Sequence, residues 1–138
     1  MVKVLIDTCV LSEVQHPKGN AQVQQAVEAL DDRALFLSVI TIGEITKGIA
    51  LLADGRRKRE LSAWLSGLEQ HADQILPIDH DIARVWGEIT ARAQAAGAVI
   101  PVSDGLIAAT ALRHGLHVMT RNTKHFAATG ALIIDPWE

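Results

Sequence analysis

The stretch VKVLID, residues Val2–Asp7, ends a short apolar run on a carboxylate. Four of the five residues before Asp7 are Val, Leu or Ile, as in a strand that is buried on both faces. Such a strand belongs in the interior of a sheet that is covered by helices. Ligands of parallel sheets bind beyond the carboxyl ends of the strands. Asp7 is therefore the first candidate for a functional side chain.

Further apolar runs along the chain predict the other strands of a sheet. Most of their residues are apolar instead of alternating with polar ones, and helical patterns separate the runs. This arrangement predicts a mainly parallel sheet that is covered on both faces. The runs are Ala34–Ile40 (ALFLSVI), Gln74–Ile78 (QILPI), Leu116–Thr120 (LHVMT) and Ala131–Asp135 (ALIID).

Apolar residues spaced three and four positions apart predict helices between these runs. The chain is therefore expected to form a three-layer α/β domain, with a mainly parallel central sheet flanked by helices. One domain is expected to span residues 1–138. The helical segments are Gln22–Leu30, Thr41–Leu52, Arg56–Gln70, a helix around Ile82–Ala93 that stops at Gly97, Ser103–Gly115, and a short turn at Lys124–Phe126.

The composition is that of an ordinary globular domain, with 49% hydrophobic and 21% charged residues. The formal net charge of -3 excludes a polycation, so any contact with nucleic acid must come from a local basic patch. Cys9 is the only cysteine, which excludes an intrachain disulfide and suits a reducing cytosol. No apolar stretch approaches the roughly 20 residues of a membrane helix. We expect a cytoplasmic protein without membrane contact.

Three acidic residues lie just beyond predicted strands. Asp7 follows the first strand, Glu44 lies four residues past Ile40, and Asp104 opens the Ala-rich helix. If these carboxylates meet at one edge of the sheet, they repel each other until protons or a cation relieve the repulsion. Mg²⁺ prefers oxygen ligands and shares its sites with water and substrate phosphates. The pattern therefore suggests a site for a divalent metal.

Each of the three acids also has a purely structural explanation. Thr41 and Glu44 fit the capping-box pattern T-x-x-E at the start of a helix. Asp104 can complement the dipole of the helix that it opens. Asp7 can act as the N-cap of a helix that follows the first strand. Spacing in the sequence leaves the metal site and the capping roles both open.

Four segments of the chain occur together in one order. They are LIDTCVLSE (Leu5–Glu13), SVITIGEITKGI (Ser38–Ile49), PVSDGLIAATALRHGLHVMTRNTKHF (Pro101–Phe126) and DPW (Asp135–Trp137). In these segments the chain resembles the PIN-domain ribonucleases, and most closely the VapC-type toxins of bacterial toxin–antitoxin pairs. The resemblance spans nearly the whole chain, and the long third segment is its most specific part. It implies a PIN-like fold.

By position, the resemblance makes Asp7, Glu44 and Asp104 the catalytic acids and the ligands of Mg²⁺ or Mn²⁺. It implies endonucleolytic cleavage of RNA, such as tRNA or rRNA, by metal-activated water, with a 5′-phosphate left on the product. It also implies a homodimer that is silenced by a small VapB-like antitoxin and contacts DNA only through it. The alternative is a catalytically silent PIN-like subunit that acts by binding its partner. Retention of all three acids favours the enzyme.

The resemblance also assigns supporting positions. Relatives often have a fourth acid or an Asn in the TRN segment, where this chain has Asn122, which counts among the catalytic residues but adds no charge. Thr8 and Thr120 are expected to be hydroxyl partners of the site. This chain departs from its relatives at Cys9, where they often carry Asn or Ser, and at His125, where many carry Asp.

Basic residues near the proposed site are candidates for contact with RNA phosphates. Arg113, Arg121 and Lys124 lie close to it in sequence, and His125 is a further candidate, although a solvated loop His is the simpler interpretation. The densest basic run, Arg56–Arg59, is typical of the solvated face of a helix.

Two amphipathic helices are candidates for the surface that an antitoxin covers. The segments Gln22–Leu30 and Arg56–Gln70 each combine an apolar stripe with a polar face. A partner helix can bind such a stripe. A basic side chain of the same partner could then reach the acids and compete with the metal for them. The sequence therefore predicts inhibition by a partner that covers these helices and the acidic site together.

Overall fold

The structure is a computed structural model that describes all 138 residues. Its centre is a five-stranded, all-parallel sheet with the strand order β3-β2-β1-β4-β5. The first strand of the sequence thus lies in the middle of the sheet, as its apolar composition predicts. The strands are β1 (Val4–Ile6), β2 (Leu35–Ser38), β3 (Ile75–Leu76), β4 (His117–Met119) and β5 (Ile133–Ile134).

Seven α-helices flank this sheet, and the prediction of a three-layer α/β domain is confirmed. Two short 3-10 turns, Asp32–Ala34 and Ala72–Gln74, lead into β2 and β3. The helices are α1 (Thr8–Gln15), α2 (Ala21–Glu28), α3 (Val39–Ala50), α4 (Arg56–Glu69), α5 (His80–Ala95), α6 (Val102–His114) and α7 (Thr123–Ala127).

Strand β1 divides the hydrophobic core between the two faces of the sheet. Its three residues are fully buried, and their side chains alternate between the faces. Leu5 packs into a cluster with Ile107 of α6, whereas Val4 and Ile6 pack into a second cluster with Val10 of α1. Full burial of such side chains contributes about 1.5–3 kcal/mol each, so the position of β1 is strongly determined.

Helix α6 approaches helix α5 closely because its contact residues are small. Ala108 and Ala109 are fully buried, and Gly105 lies against the ring of Trp86 in α5. A Cβ atom at position 105 would lie 3.0 Å from both Cδ1 and Nε1 of that ring. The absence of a side chain at Gly105 therefore sets the position of the first turn of α6, which carries Asp104.

The boundaries of β2 and α3 differ from the prediction. The strand ends at Ser38 instead of Ile40, because the Ser38 hydroxyl caps α3 by accepting a hydrogen bond from the N–H of Ile40 at 3.0 Å. The capping-box interpretation of Thr41 and Glu44 is therefore wrong: Thr41 is buried within the helix, and Glu44 lies in its second turn.

Two other expectations need revision. The third strand is only Ile75–Leu76, shorter than the predicted Gln74–Ile78. The apolar stripes of α2 and α4 do not face outward, because their side chains belong to the hydrophobic cluster around Val4 and Ile6. Most of these stripes are therefore already covered, although Leu61 and Trp64 of α4 are half-buried and line a cavity. The packed side chains are Val23 and Val27 of α2 and Leu61, Trp64, Leu65 and Leu68 of α4.

We predict that Gly105→Ala destabilises the protein by about 1–3 kcal/mol, because the added methyl group overpacks the contact with Trp86. Gly87→Ala in the interior of α5 is the matched control, since a Cβ there meets no atom within 4 Å. That change should stabilise the protein by about 0.5–1 kcal/mol. Urea denaturation measures both free energies of unfolding, and equal stability of wild type and Gly105→Ala would contradict the prediction.

Candidate active site

Asp7 joins the end of β1 to the start of α1. Its backbone N–H donates to the carbonyl of Met119 at 2.9 Å, which continues the pairing with β4. Its backbone angles are those of an N-cap residue, and its Oδ1 accepts from the N–H of Thr8 at 2.8 Å. The other oxygen, Oδ2, accepts from the Thr120 hydroxyl at 2.7 Å and from the Cys9 thiol at 3.4 Å. The side chain is therefore held on both of its oxygens.

Asp7 is a buried carboxylate without a basic partner. The residue is only 3% exposed, and no Lys, Arg or His forms an ion pair with it. Burial raises the pKa of Asp7 above its usual value, and the charge of Asp104 adds to this effect. Hydrogen bonds from Thr120 and Thr8 act in the opposite direction without cancelling it. A bound cation would relieve the cost of this ionised group.

Cys9 supports Asp7 and is not a nucleophile. Burial raises the pKa of the Cys9 thiol, and so does the nearby charge of Asp7. The thiol therefore stays protonated at neutral pH and can donate to Oδ2 of Asp7. Nucleophilic catalysis requires the thiolate, which this environment disfavours.

Glu44 reaches the same edge of the sheet from α3. Its residue is exposed, and its Oε1 accepts from the Thr8 hydroxyl at 2.7 Å. The hydroxyl of Thr8 also lies 3.1 Å from that of the buried Thr41. Thr8 therefore links Glu44 to Asp7, since its N–H binds Asp7 and its hydroxyl binds Glu44. The sequence offered a helix cap as one possible role of Thr41 and gave no sign of this contact, because the contact joins residues 33 positions apart.

Asp104 lies in the first turn of α6 and is 8% exposed. Its Oδ2 lies 2.7 Å from Nδ1 of His125, whereas Oδ1 accepts no hydrogen bond from the protein. His125 is located on α7 with its side chain 48% exposed. The simpler interpretation of the sequence placed this ring free in a solvated loop. The structure instead brings the ring into contact with one of the three acids.

Asn122 precedes α7 at the rim of this cluster. Its backbone N–H donates to the Thr120 hydroxyl at 2.9 Å, so Thr120 connects Asp7 to the turn that carries Asn122. The side-chain amide of Asn122 is exposed and makes no hydrogen bond within the chain. It is thus available to a water molecule or a substrate.

The structure separates the basic candidates into two groups. Arg121 and Lys124 follow β4 directly, with the guanidinium of Arg121 5.0 Å from the centre of the Trp137 ring. Arg113 instead lies near the opposite end of α6, about 13 Å along the helix axis from Asp104, and pairs with Asp81 at 3.3 Å. The structure therefore does not bring Arg113 to the acids.

The basic run Arg56–Arg59 opens α4 and is largely solvated. Arg56 pairs with Glu60 at 2.8 Å, and Lys58 pairs with Asp54 at 3.5 Å. These are ion pairs between groups that lie on one helix or just before it. The arrangement matches the solvated face that the sequence predicts.

The three acids meet at one edge of the sheet without forming a closed cage. Asp7 and Asp104 interact through their charges, and Glu44 is connected to Asp7 through Thr8. No group of three or more Asp, Glu, His or Cys side chains lies close enough together to enclose a metal ion. An open set of oxygen donors fits Mg²⁺ or Mn²⁺, which commonly bind through one or two carboxylates and complete their coordination with water or phosphate.

Comparison with known proteins identifies the family of this fold and site. The model of the PIN domain family matches residues 4–132, and the chain belongs to that family. Relatives include the VapC ribonuclease Y4jK of Sinorhizobium fredii, 38% identical over 98% of each chain. The toxin FitB of Neisseria gonorrhoeae is also 38% identical, over 97% of this chain and 98% of the relative.

A solved structure supports the same assignment. FitAB bound to an IR36 DNA fragment contains a chain that superposes with a TM-score of 0.93 at 36% identity. The match covers 98% of this chain and 96% of that one. The family resemblance that the sequence motifs indicate is thereby confirmed. In the present structure none of the helices has the length and apolar character needed to cross a membrane.

We predict that Asp7→Asn leaves the metal-free protein as stable as wild type, or more stable, at about pH 7. Because the folded-state pKa of Asp7 is raised above 3.8, its ionised form destabilises the fold above that raised pKa. As the pH falls toward 3.8, protonation removes the penalty, and the advantage of the variant should shrink. Asn is also a good N-cap, so the start of α1 is preserved.

Urea denaturation in the presence of a chelator, at about pH 7 and about pH 4, measures this difference in the free energy of unfolding. Asp73→Asn is a matched control, because Asp73 is exposed and its side chain makes no hydrogen bond or ion pair. If Asp7→Asn is clearly less stable than wild type at about pH 7, the prediction is wrong, because the hydrogen bonds that Oδ2 of Asp7 accepts from Thr120 and Cys9 then outweigh the cost of its buried charge.

Proposed function

We propose that this chain is the toxin of a toxin–antitoxin pair and acts as a metal-dependent endoribonuclease. The observation that carries the proposal is that Asp7 interacts with the charge of Asp104 and is linked through Thr8 to Glu44, although the three acids belong to the first two turns or the caps of three different helices. The names of the relatives support it, since one is a VapC ribonuclease and another is the toxin FitB. Both are matched over nearly their full length.

The residues fit the binding of Mg²⁺ or Mn²⁺ by Asp7 and Asp104, with Glu44 at the more exposed side. When bound, such an ion activates water for attack on a phosphodiester and stabilises the negative charge that develops. Thr8 and Thr120 keep Glu44 and Asp7 in place through hydrogen bonds of 2.7 Å. These contacts orient the oxygens without neutralising their charge.

Two oxygens and one amide of the site remain available to water and substrate. Oδ1 of Asp104 and Oε2 of Glu44 accept no hydrogen bond from the protein, and the side chain of Asn122 has no partner. We assign Glu44 and Asn122 to the orientation of the attacking water, since both are exposed. Cleavage by attack of water on phosphorus with departure of the 3′-oxygen leaves a 5′-phosphate on the product.

The RNA strand is proposed to run along the rim beside α7. Arg121 and Lys124 supply positive charge there, and Lys124 forms no ion pair within the chain. Contacts with phosphates determine the position of the RNA strand but carry no information about its sequence. The substrate class proposed is structured cellular RNA such as tRNA or rRNA.

An antitoxin is proposed to inhibit the enzyme by covering the acidic site. A cavity of about 160 Å³ beside Glu44 combines apolar and polar lining groups from α1, α3 and α4, among them Thr8, Gln15 and Trp64. A segment of the antitoxin that fills this cavity can place a basic side chain near the acids. Hydrogen exchange on the free and co-expressed chains checks this, because protection that avoids α1 and α3 would contradict it.

The assembly is proposed to be a homodimer that contacts DNA through the antitoxin. The solved structure of FitAB bound to an IR36 DNA fragment supports the part of this proposal that concerns DNA, since it shows that an assembly with a similar chain binds DNA. The net charge of -3 also disfavours strong direct binding of DNA by this chain. Light scattering on the purified chain measures its mass, and a monomer at micromolar concentration would contradict the dimer.

We predict that Asp7→Asn, Glu44→Gln and Asp104→Asn each lower the rate of RNA cleavage by about 100-fold or more, because each removes a charge from the metal site. Asn122→Ala should lower the rate less, since a neutral amide contributes less to a dication. The measurement is Mn²⁺-dependent cleavage of a total-RNA pool by the purified chain. Asp73→Asn controls for the loss of an exposed carboxylate.

Equal cleavage by wild type and Asp7→Asn would exclude the proposed mechanism and would point to a contaminating nuclease. If neither cleaves RNA while both bind the antitoxin, the chain is instead the catalytically silent subunit. The pool also identifies the substrate, since the RNA that disappears with wild type and persists with Asp7→Asn is the target.

We predict that Lys124→Ala raises the KM for RNA and reduces the dependence of binding on salt, because one contact to a phosphate is lost. Arg113→Ala is the matched control, since its guanidinium lies away from the acids and already pairs with Asp81. The KM of Arg113→Ala should stay within about twofold of wild type, because Arg113 lies too far from the acids to contact RNA that is bound there. Equal effects of the two substitutions would refute the proposed path of the RNA.

A further inference from the structure

His125 and Asp104 form a contact that has no role in the cleavage of RNA as proposed above. The ring Nδ1 lies 2.7 Å from Oδ2 of Asp104, a distance typical of a hydrogen bond to a carboxylate. The opposite oxygen, Oδ1, has no partner within the chain. The two side chains come from different helices, 21 positions apart in the sequence.

We propose that His125 is a positioning residue for Asp104, and that this role rests on the proposed metal site. With its proton on Nδ1, the ring donates to Oδ2 and limits the rotation of the carboxylate about its last bond. Oδ1 is then the oxygen that remains for the metal. Partners of this kind fix the orientation of metal-binding carboxylates in other proteins.

Both partners are anchored by neighbouring residues, so the contact is built into the fold. Phe126, the residue after His125, is fully buried and belongs to the hydrophobic cluster around Leu5. Gly105, the residue after Asp104, is packed against Trp86. The helices α6 and α7 are therefore each held in place by the residue next to the contact.

Two other roles for His125 are less compatible with the geometry. A direct metal ligand would need a ring nitrogen that faces the ion, yet Nδ1 already faces Oδ2 of Asp104 at 2.7 Å, and Mg²⁺ prefers oxygen ligands. A contact with an RNA phosphate through Nδ1 would require release of Asp104. A phosphate contact through Nε2 stays compatible with the positioning role, because that nitrogen has no partner in the protein.

The test is the affinity for Mn²⁺ measured by calorimetry on the purified chain without RNA. His125→Ala should weaken binding by about tenfold or more, the effect expected for loss of such a partner. His125→Asn should recover most of the affinity, because its Nδ2 lies as many bonds from the backbone as Nδ1 of histidine and also donates. His114→Ala is the matched control, an exposed His whose side chain forms no hydrogen bond or ion pair.

The outcomes separate this inference from the proposed function. If Asp104→Asn weakens Mn²⁺ binding while His125→Ala binds like wild type, the positioning role is wrong and the metal site stands. Equal weakening by His125→Ala and His125→Asn would also refute it, since donation would then not matter. If wild type and Asp104→Asn bind Mn²⁺ equally, both the metal site and the inference fail. Melting temperatures in chelator should agree among the His125 variants, because the contact lies at the rim of the fold.

Discussion

The burial of Asp7 at the end of the central strand constrains the rest of the site. The carboxylate cannot move to solvent unless β1 slips, and a slip by one residue would exchange the faces of Val4, Leu5 and Ile6. Those three side chains are fully buried in two different clusters, so the slip would expose or misplace all of them. Hydrophobic packing on both faces of the sheet thus holds an ionisable group where its charge is unfavourable.

The groups around Asp7 orient it without neutralising it. Thr8, Cys9 and Thr120 all donate hydrogen bonds to the carboxylate, and none of them carries a positive charge. An arginine in their place would lower the pKa of Asp7 and would occupy the position that a cation needs. The donors therefore satisfy the geometry of the carboxylate and leave its charge uncompensated, as the proposed metal site requires. Because burial raises the pKa of Asp7, its ionised form makes the chain less stable than it could be, which is common at functional sites.

The three acids are supported in three different ways, and their mobility should differ accordingly. Asp7 is held on both oxygens, Asp104 on one oxygen by a histidine, and Glu44 on one oxygen by a threonine at an exposed position. The two buried acids are suited to fixing the position of an ion. The exposed one can change its rotamer when water or a phosphate enters the site.

The sequence alone determined the class of the fold and named the three acids that are proposed as the site. Apolar runs separated by helical patterns predict a parallel sheet covered on both faces, and the motif order predicts Asp7, Glu44 and Asp104 as the site. Local sequence patterns could not predict which side chains contact and support these three acids. Ser38 has the capping role that the sequence offered as one possibility for Thr41, because the position of a cap depends on where the strand ends. The partners Thr41 and His125 lie 33 and 21 positions from the side chains they touch, so only the packing of α1 on α3 and of α6 on α7 brings them together.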